Sequence, residues 1–380
     1  MDTSRRAFSL GMAALGLSAC ATGGGISGAS AGTGLPADLR PQANAGYDAW
    51  VAAFKSRAGS SGISQSTLGT AFRGTGYLPG AVKRDRNQTE FSRTLEDYLA
   101  ISASEERVSK GRAAFARYAS TLAAVEAKYG VAPEIVTAIW GLESFYGERR
   151  GDVPVISSTS TLAYDGRRGV FFEKQLVAAL KIIQSGDTTA ANMTGSWAGA
   201  MGHTQFIPTS YQAFAVDFTG DGRRDIWSND PSDSLASTAA YLSRNGWSRG
   251  VRWGGEVGNG APSGRALQPQ AGGPVFNVTS NFNAIKRYNN SDAYAIGVGH
   301  LADRIKGGGP IRGSFPPDKY GLQKSDRQKL QQRLTAKGFD TDGADGVLGP
   351  KSRAAIAGYQ SSQGLAATGD PSLELLRSLG

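Results

Sequence analysis

Two segments of the chain carry residues that could perform acid/base chemistry. The first is a helix that the sequence predicts to begin at Pro133. Its residues Ile135, Ile139 and Leu142 share one apolar face, and Glu143 borders that face. A carboxyl group beside apolar side chains is harder to ionise, so its pKa rises toward the range that a general acid needs near neutral pH. Glu143 is therefore the predicted catalytic residue; the alternative is a structural glutamate near a helix end.

The second segment, residues 196–211, combines small, polar and aromatic residues in a pattern unlike that of a core helix. Its glycines allow the backbone to approach a ligand closely. Ser196 and Gln205 offer neutral hydrogen bonds. His203 lies between them and receives no predicted role. These features indicate a ligand-binding segment rather than a packed helix.

Together the two segments resemble the membrane-bound lytic murein transglycosylase B family (glycoside hydrolase family 103), a branch of the lysozyme-like enzymes. The resemblance extends from about residue 49 to residue 306. It implies that Glu143 is the single acid/base. It also implies that Arg167 and Arg168 face the saccharide and its acidic peptide stem. The full set of residues matching the family's substrate site is Ser196, Met201, Gln205, Arg167, Arg168, Tyr288, Asn289, Tyr294, Tyr98 and Tyr241.

Cleavage of a glycosidic bond usually takes two carboxylates, whereas the matched site supplies one. The resemblance implies a non-hydrolytic reaction that needs no cofactor. Glu143 would protonate the oxygen between N-acetylmuramic acid and N-acetylglucosamine, then deprotonate the muramic C6 hydroxyl, which closes onto C1. The implied enzyme is a lyase that leaves 1,6-anhydromuramic ends on peptidoglycan. Two alternatives stay open: a lysozyme-like hydrolase of the same bond, and a non-catalytic lipoprotein that tethers the envelope to the wall.

A third segment, residues 217–225, follows the spacing of a calcium-binding loop. Side-chain oxygens occupy its first, third, fifth and ninth positions, and Gly222 occupies the sixth. Ser228 replaces the glutamate expected at position twelve, but the family has a longer loop that ends in a late aspartate. The predicted ligands of a structural Ca²⁺ are Asp217, Thr219, Asp221, Arg223 (through its backbone carbonyl) and Asp233. The alternative is a simple acidic turn.

The elements that must position these residues are predicted to be mostly helices. Helical spacing is clearest over 112–129, where Gly130 ends the pattern. Further helices are predicted over 162–183, 234–241 and 294–305. Residues 254–273 lack periodicity and are predicted to form a loop with a short strand pair around it. The expected fold class is mainly α: a lysozyme-like multi-helix catalytic domain with a small β element, over residues 43–307.

A second, smaller domain is predicted at the carboxyl end. Residues 308–321 are rich in glycine and proline and are predicted to form a linker. Over 322–380, three short helices are expected at 326–337, 350–360 and about 372–379. The stretch 339–353, with Gly346 and Gly349 in a turn, resembles the small peptidoglycan-binding domain attached to many wall enzymes. The alternative is a generic three-helix domain.

The amino-terminal segment has the features of an export signal. Arg5 and Arg6 precede an apolar run, 10–17, that is too short to span a bilayer. The residues Leu-Ser-Ala-Cys that end at Cys20 resemble the lipobox of bacterial lipoproteins. This resemblance predicts a signal peptide over 1–19, lipidation of Cys20, a flexible tether over 20–42 and the periplasmic face of the outer membrane. An ordinary signal peptide is the alternative, and both the Sec and twin-arginine routes stay open.

Composition narrows the classes of partner. The 380 residues, 40% of them hydrophobic, can bury a large core. One cysteine and two histidines exclude an internal disulfide and a four-ligand Cys/His zinc site. The net charge of +9 suits a polyanionic partner. The sequence lacks a basic patch with interleaved aromatic residues, which argues against nucleic acid as that partner. Peptidoglycan and a membrane reached through the lipid anchor are the expected partners; wall-synthesis proteins are unidentified candidates.

Overall fold

The structure is a computed structural model that describes residues 34–87 and 94–380. The predicted signal peptide, Cys20 and the first part of the tether lie outside the described residues. None of the helices in the described part combines the length and apolar character that a membrane span requires.

The larger domain is built mainly of helices, which confirms the predicted fold class. A 3₁₀ helix at Ala37–Leu39 precedes them. Its α-helices are α1 (Ala45–Ser60), α2 (Gln65–Ala71), α3 (Pro79–Arg86), α4 (Leu95–Ser102), α5 (Glu105–Arg117), α6 (Ala119–Tyr129), α7 (Pro133–Ser144), α8 (Val155–Asp165), α9 (Gly169–Gln184), α10 (Pro208–Phe214), α11 (Ser232–Arg244), α12 (Ser280–Tyr288) and α13 (Asp292–Ile305).

The small β element has two parts. Strands β1 (Val153–Pro154) and β2 (Thr194–Gly195) form a short antiparallel pair. Strands β3 (Gly254–Glu256), β4 (Arg265–Leu267) and β5 (Phe276–Val278) form an antiparallel sheet with β5 in the centre. The predicted loop over 254–273 therefore contains two strands of a three-stranded sheet. The prediction of a single strand pair was incomplete, because the strands are too short to show periodicity.

Two predicted helices are each divided in the structure. The single helix predicted over 112–129 is wrong, because the backbone leaves helical geometry at Tyr118 (φ −106°, ψ 23°). On either side of this break, α5 packs on α7 and α13, whereas α6 packs on α11 and α7. The single helix over 162–183 is also wrong, because Gly166 adopts φ 82° and ends α8. The second break places Arg167 and Arg168 between α8 and α9.

Helix α7 lies in the centre of the larger domain. Gly130 ends α6 in the left-handed conformation, and Pro133 starts α7, as the sequence predicts. Every residue from 135 to 144 is buried. Two apolar cores flank the region, one around α7 and α13 and the other around α1, α8 and α9. Tyr241 and Tyr288 pack against both cores, so the site forms where the cores meet.

The carboxyl-terminal domain has its own apolar core. Its helices are α14 (Lys324–Ala336), α15 (Pro350–Ser362) and α16 (Leu373–Ser378), close to the three predicted helices. Leu330, Leu334, Ile356 and Tyr359 pack together between them. The polar face of α15 and the turn at Gly346 remain outside that core.

The segment over 308–321, predicted to be a linker, is fixed at both ends, and we refer to it as the strap. The Glu256 carboxylate on β3 accepts hydrogen bonds from the backbone N–H groups of Arg312 (2.9 Å) and Gly313 (2.6 Å). At the other end, the Tyr320 hydroxyl donates to Asp370 Oδ1 of the small domain at 2.6 Å. The strap therefore connects the two domains without a free tether.

Arg327 of α14 joins the small domain directly to the larger one. This side chain is buried, with 2% of its surface exposed. Its guanidinium pairs with Glu96 (2.6 Å) and Asp97 (3.1 Å) on α4 and with Asp318 (3.4 Å) of the strap. A buried cation needs such partners, because leaving it unpaired would cost several kcal/mol, on the order of 3 to 5.

Candidate active site

Glu143 is held at the carboxyl end of the buried helix α7. Phe145 directly after the helix adopts the left-handed conformation (φ 54°) and ends it. The apolar residues Ile139 and Leu142 on the same helix are buried in the core. Only 8% of the Glu143 surface is exposed. The sequence prediction of an acid bordering an apolar face is confirmed.

The surroundings of Glu143 favour its protonated form. Burial raises the pKa of Glu143 to about 8, and the hydrogen bond from Tyr294 opposes part of that rise. The Tyr294 hydroxyl donates to Glu143 Oε1 across 2.7 Å. A carboxylic acid that stays protonated at neutral pH can deliver its proton to a leaving group.

A small cavity opens beside Glu143. Among the described residues that line it, Glu143 is the only carboxylic acid. The lining residues are Glu143, Ala200, Gln205, Phe206, Ile207, Ser210, Tyr241 and Tyr288. Gln205, Tyr241 and Tyr288 were predicted from the sequence. Ala200, Phe206, Ile207 and Ser210 were not singled out, although all four lie within the predicted binding segment over 196–211.

The corner between α12 and α13 supplies three predicted residues. The Tyr288 hydroxyl donates to the Thr204 carbonyl at 2.6 Å, and the Tyr241 ring lies 4.9 Å from the Tyr288 ring, edge-on. Burial raises the pKa values of Tyr288 and Tyr294 well above the usual range, so both remain hydrogen-bond donors. Asn289 is 2% exposed, and its buried Nδ2 has no hydrogen-bond partner within the described residues.

The segment before α10 is shaped by its own polar groups. Ser196 Oγ accepts hydrogen bonds from the backbone N–H groups of Ala198 and Ala200, so this hydroxyl builds the turn. Met201 is fully buried in the core. Gln205 has a positive φ of 54°, and its Nε2 donates to the carbonyls of Arg150 (2.9 Å) and Gly202 (2.8 Å). Of the three, only Gln205 lines the cavity; Ser196 and Met201 support the segment.

Arg167 and Arg168 form ion pairs with a residue that the sequence analysis did not single out. Asp85 on α3, 1% exposed, forms ion pairs with both guanidinium groups. Neither arginine is among the residues lining the Glu143 cavity. Asp85 lies in a charged stretch that predicts only a solvated surface, so no local signal could have revealed this pairing.

Tyr98 of α4 also lies away from the cavity lining. Its ring packs against Gly297 of α13, where an added Cβ would come within 2.8 Å of the ring. Gly297 is three residues after Tyr294, so Tyr98 supports the helix that carries the partner of Glu143.

Three of the predicted metal ligands lie close together, two in the loop over 217–225 and the third at the start of α11. Carboxylate oxygens of Asp217, Asp221 and Asp233 lie within 4.8 Å of one another. Asp233, at the start of α11, accepts hydrogen bonds from the backbone N–H groups of Phe218 and Thr219. The Thr219 hydroxyl contacts Asp217 Oδ1 at 3.4 Å. Arg223 donates its backbone N–H to Asp221 Oδ1. The three acidic groups thus fit a hard divalent cation such as Ca²⁺.

The packing of helices around α7, with a buried acid at its end, defines the lysozyme-like class of folds. The chain belongs to the transglycosylase SLT domain family, whose model matches residues 46–263 and 259–303. The model of a peptidoglycan binding domain matches residues 323–379. The resemblance drawn from the sequence is confirmed.

Named relatives agree with this assignment. Membrane-bound lytic murein transglycosylase B of Escherichia coli (strain K12) is 31% identical over 234 residues, which cover 53% of this chain and 64% of the relative. The crystal structure of SltB3 from Pseudomonas aeruginosa in complex with NAG-anhNAM-pentapeptide is 43% identical, with a TM-score of 0.69 over 88% of this chain and 100% of that chain. The Escherichia coli lytic transglycosylase Slt35 in complex with calcium is 25% identical, with a TM-score of 0.59 over 69% of this chain and 93% of that chain.

Proposed function

We propose that this protein is a lytic transglycosylase that cleaves the β-1,4 bond between N-acetylmuramic acid and N-acetylglucosamine in peptidoglycan. The observation that carries the proposal is the isolation of Glu143. Burial raises the pKa of Glu143 to about 8, and Glu143 is the only carboxylic acid among the described residues lining its cavity. One acid without a second carboxylate suits a reaction in which the substrate supplies its own nucleophile.

The reaction has two proton transfers at the same carboxyl group. Protonated Glu143 gives its proton to the glycosidic oxygen as the bond to C1 breaks, and the sugar's 2-acetamido group stabilises the positive charge at C1. The Glu143 carboxylate then accepts the proton of the C6 hydroxyl, whose oxygen bonds to C1. No water is consumed, and Glu143 returns to its starting form. The Tyr294 hydroxyl, 2.7 Å from Oε1, stabilises the carboxylate between the two steps.

Two lines of support concern the substrate. SltB3 from Pseudomonas aeruginosa, 43% identical, has been crystallised with NAG-NAM-pentapeptide and with NAG-anhNAM-pentapeptide. The cavity beside Glu143 carries tyrosine rings and an amide, which suit a neutral saccharide. Arg167 and Arg168 each form an ion pair with Asp85. They would bind the acidic peptide stem through the guanidinium N–H groups that these ion pairs do not use. The carboxyl-terminal domain would hold the polymer.

Mass spectrometry of muropeptides after digestion of sacculi tests the proposal. Anhydro ends, one water lighter than reducing ends, are the expected product. Reducing ends would instead identify a lysozyme-like hydrolase. Binding to sacculi with no released muropeptide would identify a non-catalytic tether. Glu143→Gln serves as the control that separates this site from a contaminating enzyme.

A structural Ca²⁺ in the loop over 217–233 is part of the proposal. Asp217, Asp221 and Asp233 gather three negative charges that repel one another without a cation. Thr219 and the Arg223 carbonyl would complete the oxygen ligands. The calcium complex of the 25% identical Slt35 supports the choice of ion. The ion would stabilise the fold and take no part in the chemistry.

Lipid anchoring at Cys20 is a further part of the proposal, with the periplasmic face of the outer membrane as the location. The support is the Leu-Ser-Ala-Cys sequence and the alanine that follows it. Labelling with a fatty-acid analogue tests this, because Cys20→Ala should lose the label and leave the membrane fraction. A labelled Cys20→Ala variant would contradict the anchor.

A further inference from the structure

His203 occupies a buried position between the catalytic helix and the segment that carries Gln205. It is 4% exposed, and it is not among the residues lining the cavity. The Trp140 indole Nε1–H donates to His203 Nδ1 at 3.1 Å. An indole can only donate, so Nδ1 accepts and the ring hydrogen sits on Nε2. That Nε2–H donates to the Ser228 carbonyl at 2.8 Å.

The partners of the imidazole fix its tautomer from both sides. Arg150 Nη1 donates to the same Ser228 carbonyl at 2.6 Å. Arg150 Nη1 and His203 Nε2 lie 3.3 Å apart because both donate to this one carbonyl, and they are not hydrogen-bonded to each other. Burial lowers the pKa of His203 to about 4, which agrees with a neutral ring.

Two residues beside Glu143 are bonded to His203. Trp140, three positions before Glu143, reaches its ring, and the Ser144 hydroxyl, one position after Glu143, donates to the His203 carbonyl. Ser144 Oγ also accepts the Gly147 backbone N–H at 3.0 Å. Gly147 has a positive φ of 89°, and an added Cβ would come within 2.5 Å of His203 Nδ1. The end of α7 is therefore fitted closely around this ring.

The same residue belongs to the turn that carries Gln205, a second residue lining the cavity. Gln205 lies two positions after His203 and holds its strained φ of 54° because Nε2 bonds the Gly202 and Arg150 carbonyls. Gln205 and Glu143 both line the cavity. His203 thus joins α7, through its hydrogen bonds with Trp140 and Ser144, to the turn that carries Gln205.

We infer that His203 is a positioning residue for the reaction. Its neutral Nε2–H imidazole holds α7 and the turn over 202–205 at a fixed separation, and so sets the distance between Glu143 and the bound sugar. The inference rests on the proposed cleavage at Glu143. A displacement of about 1 Å in such a site can reduce the rate by about a hundredfold.

Paired amide substitutions test the role, with kcat and KM measured on a soluble glycan fragment. Asn can place its carbonyl near Nδ1 and so keep the bond from Trp140, whereas Gln places its amide near Nε2 and loses that bond. We expect His203→Gln to lower kcat by about tenfold or more, with KM within about twofold. His203→Asn should recover a substantial part of kcat. His300→Asn is the matched control, since His300 is also buried, on α13, and lies outside the cavity lining.

A double-mutant cycle identifies the bond responsible. Trp140→Phe removes the indole donor, so it should lower kcat in the wild type but add little in His203→Gln. Additive losses, an unchanged kcat in His203→Gln, or a loss shared equally by His300→Asn would overturn the inference. A wild-type protein with no turnover would instead refute the proposed function. Circular dichroism and melting temperature establish that each variant is folded, and a kcat loss explained by the unfolded fraction also counts against the inference.

Discussion

The Tyr294 hydroxyl on α13 and Glu143 Oε1 on α7 are 2.7 Å apart, so the acid of the site is hydrogen-bonded across two helices. The two residues are 151 positions apart in the chain. Burial makes the carboxylate unfavourable, and this hydrogen bond stabilises it in part. The pKa of Glu143 is therefore set by two opposing effects: burial raises it, and the hydrogen bond from Tyr294 lowers it.

Removing the Tyr294 hydroxyl should move the alkaline limit of activity. The hydrogen bond lowers the pKa of Glu143 from the value that burial alone would produce. Tyr294→Phe should therefore raise that pKa above about 8 and shift the alkaline limb of kcat/KM to higher pH. It should also lower kcat, since the carboxylate formed after proton transfer loses its donor. A pH profile identical to that of the wild type would contradict this account.

Glu143→Gln should abolish turnover while leaving the fold and wall binding intact, because only the transferable proton is lost. Residual digestion of sacculi within about tenfold of the wild-type rate would contradict the assignment of Glu143.

The same variant should become more stable than the wild type as pH rises. The unfolded chain loses the Glu143 proton near pH 4.3, whereas the folded protein keeps it up to about pH 8. Between these values the folded state binds more protons, so the wild-type free energy of unfolding falls as pH rises. The advantage of Glu143→Gln should therefore grow by about 1.4 kcal/mol per pH unit over this window. Melting temperatures of the variant and the wild type at pH 5 and pH 8 measure this stability advantage. The same difference between the two proteins at both pH values would contradict the prediction.

Arg327→Met should loosen the small domain from the larger one. The substitution leaves Glu96 and Asp97 without their buried cation, which should cost about 3 kcal/mol. Thermal unfolding should change from one shared transition toward two. Lys329→Met is the matched control, because Lys329 is exposed on the same helix. Equal melting curves for the two variants would indicate that the docking is weak.

Deleting residues 310–380 is a stronger test of domain independence. We expect weaker binding to sacculi and retained turnover of a soluble glycan fragment, because the residues that line the Glu143 cavity all precede the deletion. The melting temperature should fall, because Glu256 loses the N–H donors of Arg312 and Gly313. A folded truncation that cannot cleave the soluble fragment would contradict the separation of binding from catalysis.

Calcium should raise the melting temperature of metal-free protein. A ligand that binds only the folded state adds about 2.7 kcal/mol at a hundredfold excess over its dissociation constant. Asp221→Ala should remove the calcium-dependent part of the stability, whereas Asp48→Ala, at an exposed site on α1, should keep it. Turnover near 25 °C should survive a chelator. No thermal shift in millimolar calcium, or immediate loss of turnover on chelation, would count against a structural ion.

The features that the sequence predicted correctly depend on local signals. Gly130 and Pro133 mark the start of α7, and the apolar spacing along it predicts the burial of Glu143. The features it missed depend on distant contacts. The break at Tyr118 follows from different packing partners for α5 and α6, and the pairing of Asp85 with Arg167 joins residues 82 positions apart. Such contacts leave no periodic pattern in the chain.

The strap changes how the two domains can share one polymer. A flexible tether gives its second binding site an effective concentration set by tether length and lets that site approach from many directions. The bonds of Glu256 to the strap and of Arg327 to α4 remove this freedom. A glycan strand held by the small domain should therefore meet Glu143 at one angle and one distance. Avidity would then favour strands that run in the matching direction, so the enzyme would select for polymer geometry as well as for sugar chemistry.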